Sequence, residues 1–176
     1  MKSKVIIFLM MLACLVLQCS VLPAIAIASV VPNLMIVFTA SFGLMRGKRA
    51  GLLIGFFSGL LADLMFMVLD FYMVGFRAVI YMFIGYLCGC CCQIFYDEDV
   101  KMPVLLTALG DLVYGIAVYG AQFMLRGRIH FFYYLRRIIL PEVVYTIVLT
   151  LITYRFFLFV HRKLVKSEKR GVDSFV

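Results

Sequence analysis

Ala50-Gly51-Leu52-Leu53-Ile54-Gly55-Phe56-Phe57-Ser58-Gly59-Leu60-Leu61-Ala62-Asp63 opens an apolar run that continues to Leu69 and stops at Asp70. A helix needs roughly 20 such residues to cross a hydrocarbon core of about 30 Å. Gly51, Gly55, Gly59 and Asp63 recur at intervals of four, which on a helix sets three glycines and a carboxylate on one stripe. Small residues at that spacing let a second helix approach closely. A charge at the centre of a span costs about 2.5–3.5 kcal/mol on insertion scales, so Asp63 faces protein. Two readings stand: a packing or partner seam whose Asp accepts hydrogen bonds from a neighbouring helix, or a ligand or proton site.

The rest of the chain is of the same kind. Of 176 residues, 65% are hydrophobic and 15% charged, with mean hydropathy +1.09. Soluble domains have about 45–50% apolar and 25% charged residues, and a fold this small could not hide the excess. Disorder is excluded too, because disordered chains lack aliphatic and aromatic residues. Six apolar runs can be read, at about 5–21, 31–45, 50–69, 73–95, 102–125 and 138–160, leaving 161–176 as a basic tail. The expected fold is all-α and polytopic, six transmembrane helices in one integral membrane domain covering 1–176. The second run is short for a full span. Lys2 and Lys4 before Val5–Leu17 have the shape of a signal peptide, and Gln18-Cys19 that of a lipoprotein cleavage box. Gln18 stands where that box needs a small residue, and apolar sequence continues to Pro23, so the first run is expected to stay as a span.

The net charge is +8, from 17 Lys/Arg against 9 Asp/Glu. With the N-terminus inside, the cytoplasmic segments hold Lys2, Lys4, Arg46, Lys48, Arg49, Lys101, Arg162, Lys163, Lys166, Lys169 and Arg170. The outside holds Arg77, Arg126, Arg128, Arg136 and Arg137. Eleven against five favours both termini in the cytoplasm. The basic segments also suit anionic headgroups.

Polar residues within the runs are the candidates for chemistry. Asp111 lies well inside the fifth run and Glu142 follows Pro141 at the start of the sixth, where a negative charge suits a helix N-terminus. Tyr145, Thr146, Thr150 and Thr153 continue roughly that face, and Arg155 near the inner end can snorkel to the interface. Asp63, Asp111 and Glu142 together could line a pocket, and Asp63 or Asp111 could pair with Arg77 or Arg155. The stretch from Arg126 to Arg137, with Arg126, Arg128, Arg136 and Arg137 among aromatics, mixes the residue types that bind nucleic acid. Squeezed between two spans, it reads instead as an interfacial segment or a docking surface for another envelope protein. Cys88, Cys90, Cys91 and Cys92 point to several faces of one helix and predict no metal site. No zinc-protease, serine-hydrolase or phosphate-loop motif is present, so neither an enzyme nor a cofactor is expected.

Pro32-Asn33-Leu34, the Gly51/Gly55/Gly59 ladder into Leu60-Leu61-Ala62-Asp63, Gly75, Tyr81 and Gly85-Tyr86-Leu87-x-Gly89 stand in an order that resembles the rod shape-determining MreD family. Phe95-Tyr96-Asp97-Glu98-Asp99, Leu125-Arg126-Gly127-Arg128 and Ile139-Leu140-Pro141-Glu142-Val143-Val144-Tyr145-Thr146 are similar to its variants in Gram-positive anaerobes. The segment Leu64–Val74 is longer and more apolar than the short turn usual in the family. The resemblance implies a non-catalytic membrane scaffold of the cell-elongation machinery, working with MreC, MreB, RodA and a penicillin-binding transpeptidase in peptidoglycan synthesis. It also implies a fold like the substrate-binding subunits of energy-coupling-factor transporters, which keeps a vitamin-type transporter subunit as the alternative.

Overall fold

A computed structural model of the chain describes residues 2–26, 30–66, 75–92, 100–126 and 131–173. The helices are α1 (Lys2–Ala24), α2 (Leu34–Arg46), α3 (Lys48–Phe66), α4 (Phe76–Cys91), α5 (Lys101–Arg126), α6 (Phe131–Tyr134) and α7 (Leu140–Asp173), with a π-helical turn, Leu135–Ile139, joining the last two. Ser3–Ala24, Lys101–Ala121 and Leu135–Lys166 are long and apolar enough to cross a membrane. The ends of the third and fourth runs beyond Phe66 and Cys92, and the acidic turn Asp97-Glu98-Asp99, lie outside the described residues.

The shortest of the main helices is the hub. Eleven of the 13 residues of α2 are buried, Leu34 through Leu44 without a break, and α2 meets α1, α3, α4, α5 and α7. A 13-residue helix extends only about 20 Å. An apolar helix buried all round has no lipid-facing stripe to extend. Phe38 and Phe42 stack at 4.6 Å, and Phe157 of α7 closes on them at 5.6 and 5.8 Å. Around this core the outer faces are apolar: Val5, Leu9 and Val16 on α1, Leu53 and Phe57 on α3, Val79 and Phe83 on α4, Leu105 and Leu109 on α5, Ile152 and Phe156 on α7 are all exposed. An exterior this apolar is the arrangement that lipid, not water, stabilises.

Gly47 alone connects α2 to α3. Its φ of 82° lies in the left-handed region that side chains avoid, and its carbonyl accepts from the Gly51 amide at 2.9 Å. The Arg46 guanidinium donates to the Ser3 hydroxyl at 2.6 Å, so the start of α1 meets the end of α2. Thr146 of α7 meets Asn33 at the start of α2 and Phe157 meets Phe42 further along it, so α7 runs toward that same end.

The expectation that Glu142 opens the last helix is corrected here. Tyr134 and Leu140 both have right-handed helical backbone, and the Leu140 amide reaches back five residues to the Leu135 carbonyl. Pro141 has no amide to give. The π turn absorbs the mismatch, and helical backbone runs from Phe131 to Asp173 through α6, the turn and α7. Glu142 is therefore interior to a continuous helix, with no free N-terminal amides beside it. Residues 161–173, the described part of the basic tail, continue α7.

Candidate functional site

The glycine ladder is used within the chain. A Cβ on Gly51 would lie 2.2 Å from the Gly85 carbonyl oxygen, one on Gly55 2.2 Å from the Tyr81 carbonyl oxygen, and one on Gly59 2.5 Å from the Ala78 Cα. Gly85 is equally constrained, 2.2 Å from the Gly51 carbonyl oxygen. Helices α3 and α4 thus touch backbone to backbone, the most extensive pairing in the bundle. A partner protein cannot use this stripe while α4 occupies it. Asp63 ends the seam: its Oδ2 accepts from the amides of Gly75 at 2.9 Å and Ala78 at 3.2 Å. Asp63 is only 7% exposed, and it satisfies amides at the start of α4 that would otherwise lack acceptors. Its carboxylate serves the hairpin.

The end of the bundle away from Ser3 and Arg46 is built from polar side chains on five helices. Asn33 caps α2, its Oδ1 accepting from the Ile36 amide at 3.2 Å and its Nδ2 donating to the Tyr81 hydroxyl at 2.9 Å. Its own amide donates to the Thr146 hydroxyl at 3.2 Å. Gln18 of α1 bridges the approach to α2, donating to the Pro32 carbonyl at 3.1 Å and accepting from the Leu34 amide at 2.7 Å. Sequence reasoning passed over Gln18 and Asn33 as site residues. The available signal was an amide inside an apolar run, which must find partners where water is absent.

These residues wall a cavity of about 220 Å³, lined by Gln18, Asn33, Arg77, Tyr81, Tyr114 and Glu142 together with apolar neighbours. The Tyr81 and Tyr114 rings meet edge to face at 5.4 Å. Glu142 is within electrostatic range of Arg77 and Asp111, and Tyr114 feels Arg77, Glu142, Asp111 and Asp63. Asp111 is 1% exposed. The Thr146 hydroxyl lies alongside it, yet no donor reaches either carboxylate oxygen with hydrogen-bond geometry among the described residues. Asp111 and Glu142 thus lie within electrostatic range of each other, while the Asp63 carboxylate is engaged by the α4 amides. Arg155 is exposed on α7, 13 residues or about 20 Å of helix beyond Glu142, and cannot pair with it.

Of the basic segment, Arg136 and Arg137 are exposed in the π turn. Arg137 donates to the Tyr133 hydroxyl and its guanidinium lies 5.4 Å from that ring's centre. Arg126 closes α5, and Arg128 lies outside the described residues. Among the described residues no group of three or more His, Cys, Asp or Glu side chains is placed to hold a metal.

A buried polar hub, a glycine-to-backbone helix pair and an apolar exterior describe a membrane protein. Comparison with family models adds the decisive observation: residues 2–163 match the model described as rod shape-determining protein MreD. The chain belongs to the MreD family. The match takes in every helix described above up to the last part of α7. Membership makes the chain a membrane protein of cell-shape determination. No curated protein and no solved structure gives a significant match.

Proposed function

We propose that this MreD-family chain is a non-catalytic scaffold of the elongation machinery, organising lateral peptidoglycan synthesis with MreC and, through it or directly, with MreB, RodA and a penicillin-binding transpeptidase. The observation that carries this reading is the family match over residues 2–163. The bundle supports it in a second way: the inner polar residues Gln18, Asn33, Asp63 and Tyr81 are engaged in internal hydrogen bonds. Six helices cross the membrane as one domain in this reading, with both termini cytoplasmic. The lysines and arginines at the Ser3–Arg46 end support that orientation, as does the basic stretch from Arg162 onward.

With α4 covering the glycine seam, the partner surface moves to the opposite end. Arg136 and Arg137 stand out from the bundle there, with Arg126 and Arg128 close in sequence. Affinity capture of the tagged chain from native membranes tests this. Arg136→Glu with Arg137→Glu is expected to lower MreC recovery at least about tenfold at equal membrane abundance, the scale of losing a pair of charged contacts at an interface. Unchanged recovery would remove this surface from the account. The alternative, a transporter subunit of energy-coupling-factor type, has the polar cavity in its favour. Its 220 Å³ falls short of the 300–1,000 Å³ typical of drug-sized ligands, and a vitamin is of that size.

A further inference from the structure

Arg137, Arg155 and Lys163 are all exposed along the last helical stretch, and they differ in what stands one turn before them. The Arg137 guanidinium lies 5.4 Å from the centre of the Tyr133 ring and donates to its hydroxyl. The Lys163 ammonium lies 4.5 Å from the centre of the Phe159 ring. Each of these cations leans back over the residue four positions earlier, as the N-terminal tilt of helical Cα–Cβ bonds favours, and an aromatic face receives it. For Arg155 the residue in that place is Leu151. Its guanidinium makes no hydrogen bond, ion pair or ring contact among the described residues.

Arg155 also lies deep. Exposed Leu151 and Ile152 precede it and exposed Phe156 and Phe159 follow, so it interrupts an apolar stripe on the face of α7 turned away from buried Thr150 and Phe157. That stripe turns basic only at Arg162 and Lys163, about 10–12 Å of helix further on. Phe157, two residues after Arg155, packs on Phe38 and Phe42, which stand two turns and one turn before Arg46 at the end of α2. Both measures place Arg155 roughly 10 Å inside the basic end of the bundle.

A guanidinium facing hydrocarbon at that depth is costly, and snorkelling toward Arg162 runs against the direction of its Cα–Cβ bond. A carboxyl group at the same depth would meet it with charge-assisted hydrogen bonds. A second copy of the chain does not offer one among the described residues: Asp63 and Asp111 are buried, and Glu142 lines the cavity. We infer that the exposed face of α7 around Arg155 is an intramembrane docking site for a transmembrane helix of another protein, one carrying an Asp or Glu about 10 Å inside its own boundary. This inference depends neither on the scaffold reading nor on which side of the membrane holds the termini.

The test uses the donor-labelled full chain in phosphatidylcholine nanodiscs and acceptor-labelled synthetic helices, with energy transfer as the readout. Each probe is a Leu/Ala span of about 20 residues between lysine flanks. Two probes carry Glu or Gln about 10 Å in from one flank, and a third carries Glu beside the flank. The deep Glu probe is expected to bind at least about fivefold more tightly than the other two, the scale of one polar contact between helices in lipid. Arg155→Leu should unfold near the parent temperature, because the side chain is exposed, and should abolish the preference. Arg155→Gln takes its place if Arg155→Leu fails to insert. Equal binding of the deep Glu and Gln probes, the result if lipid phosphates hold the guanidinium, overturns the inference. So does a Glu preference that the shallow probe shares, or one that survives loss of the arginine.

Discussion

Gly51→Ala is expected to destabilise the protein by about 3 kcal/mol or more, while Gly120→Ala leaves stability unchanged or raises it by up to about 1 kcal/mol. The two substitutions are chemically identical and both fall within helices, so helix propensity favours alanine at each. They differ in what the new methyl group meets. At Gly51 it would lie 2.2 Å from the Gly85 carbonyl oxygen and 3.0 Å from the Gly43 Cα, and all of these neighbours are backbone. Backbone on two packed helices cannot swing aside as a flexible side chain can, so α3 and α4 must part along their length. At Gly120 nothing lies within 4 Å. Thermal unfolding of the purified variants in detergent gives the comparison directly. Equal stability for the two would mean that α3 and α4 do not pack through their glycines.

The second large effect is expected at the polar hub. Asn33→Ala removes the cap of α2 and leaves the Tyr81 hydroxyl buried without its partner. Losing a cap costs about 1 kcal/mol and stranding a buried polar group about 1–3 kcal/mol, giving about 2–4 kcal/mol together. Tyr81→Phe strands only the Asn33 amide nitrogen and should cost about 1–2 kcal/mol. The double variant should cost less than the sum of the two by about 1 kcal/mol or more, because each single change already breaks the shared pair. Denaturation of all four proteins under one condition measures this coupling. Strict additivity would show that the Asn33–Tyr81 hydrogen bonds contribute nothing to stability.

Much of this architecture was legible in the sequence, and the exceptions have physical causes. The helical, membrane-embedded character follows from composition alone, because no soluble arrangement hides so much apolar surface. The glycine ladder predicted a close helix contact, but spacing cannot name the partner helix. Gly85 and Ala78 on α4 provide the complementary small residues, and their register with Gly51 and Gly59 exists only in three dimensions. The second run looked too short to span, and hydropathy treats lipid-facing and protein-facing apolar residues alike. Burial of Leu34 through Leu44 on every side shows why it is short. Glu142, just after Pro141, read as lying at the start of the sixth helix. The π turn upstream, which lets a helix run through a proline, has no such one-residue signature. The polar cavity was half visible: Glu142 was marked as an acid that could line a pocket, whereas Gln18, Asn33, Tyr81 and Tyr114 come from four distant parts of the chain and converge only on folding.

The role in rod-shape determination can be tested by depletion of the chain in its native bacterium, followed by imaging of cell width and of newly incorporated wall material. The account predicts rods that widen and round up, with lateral wall synthesis scattered, and recovery on re-expression of the wild-type chain but not of Gly51→Ala. Cells that keep their width and their pattern of wall synthesis after the protein is gone would contradict it.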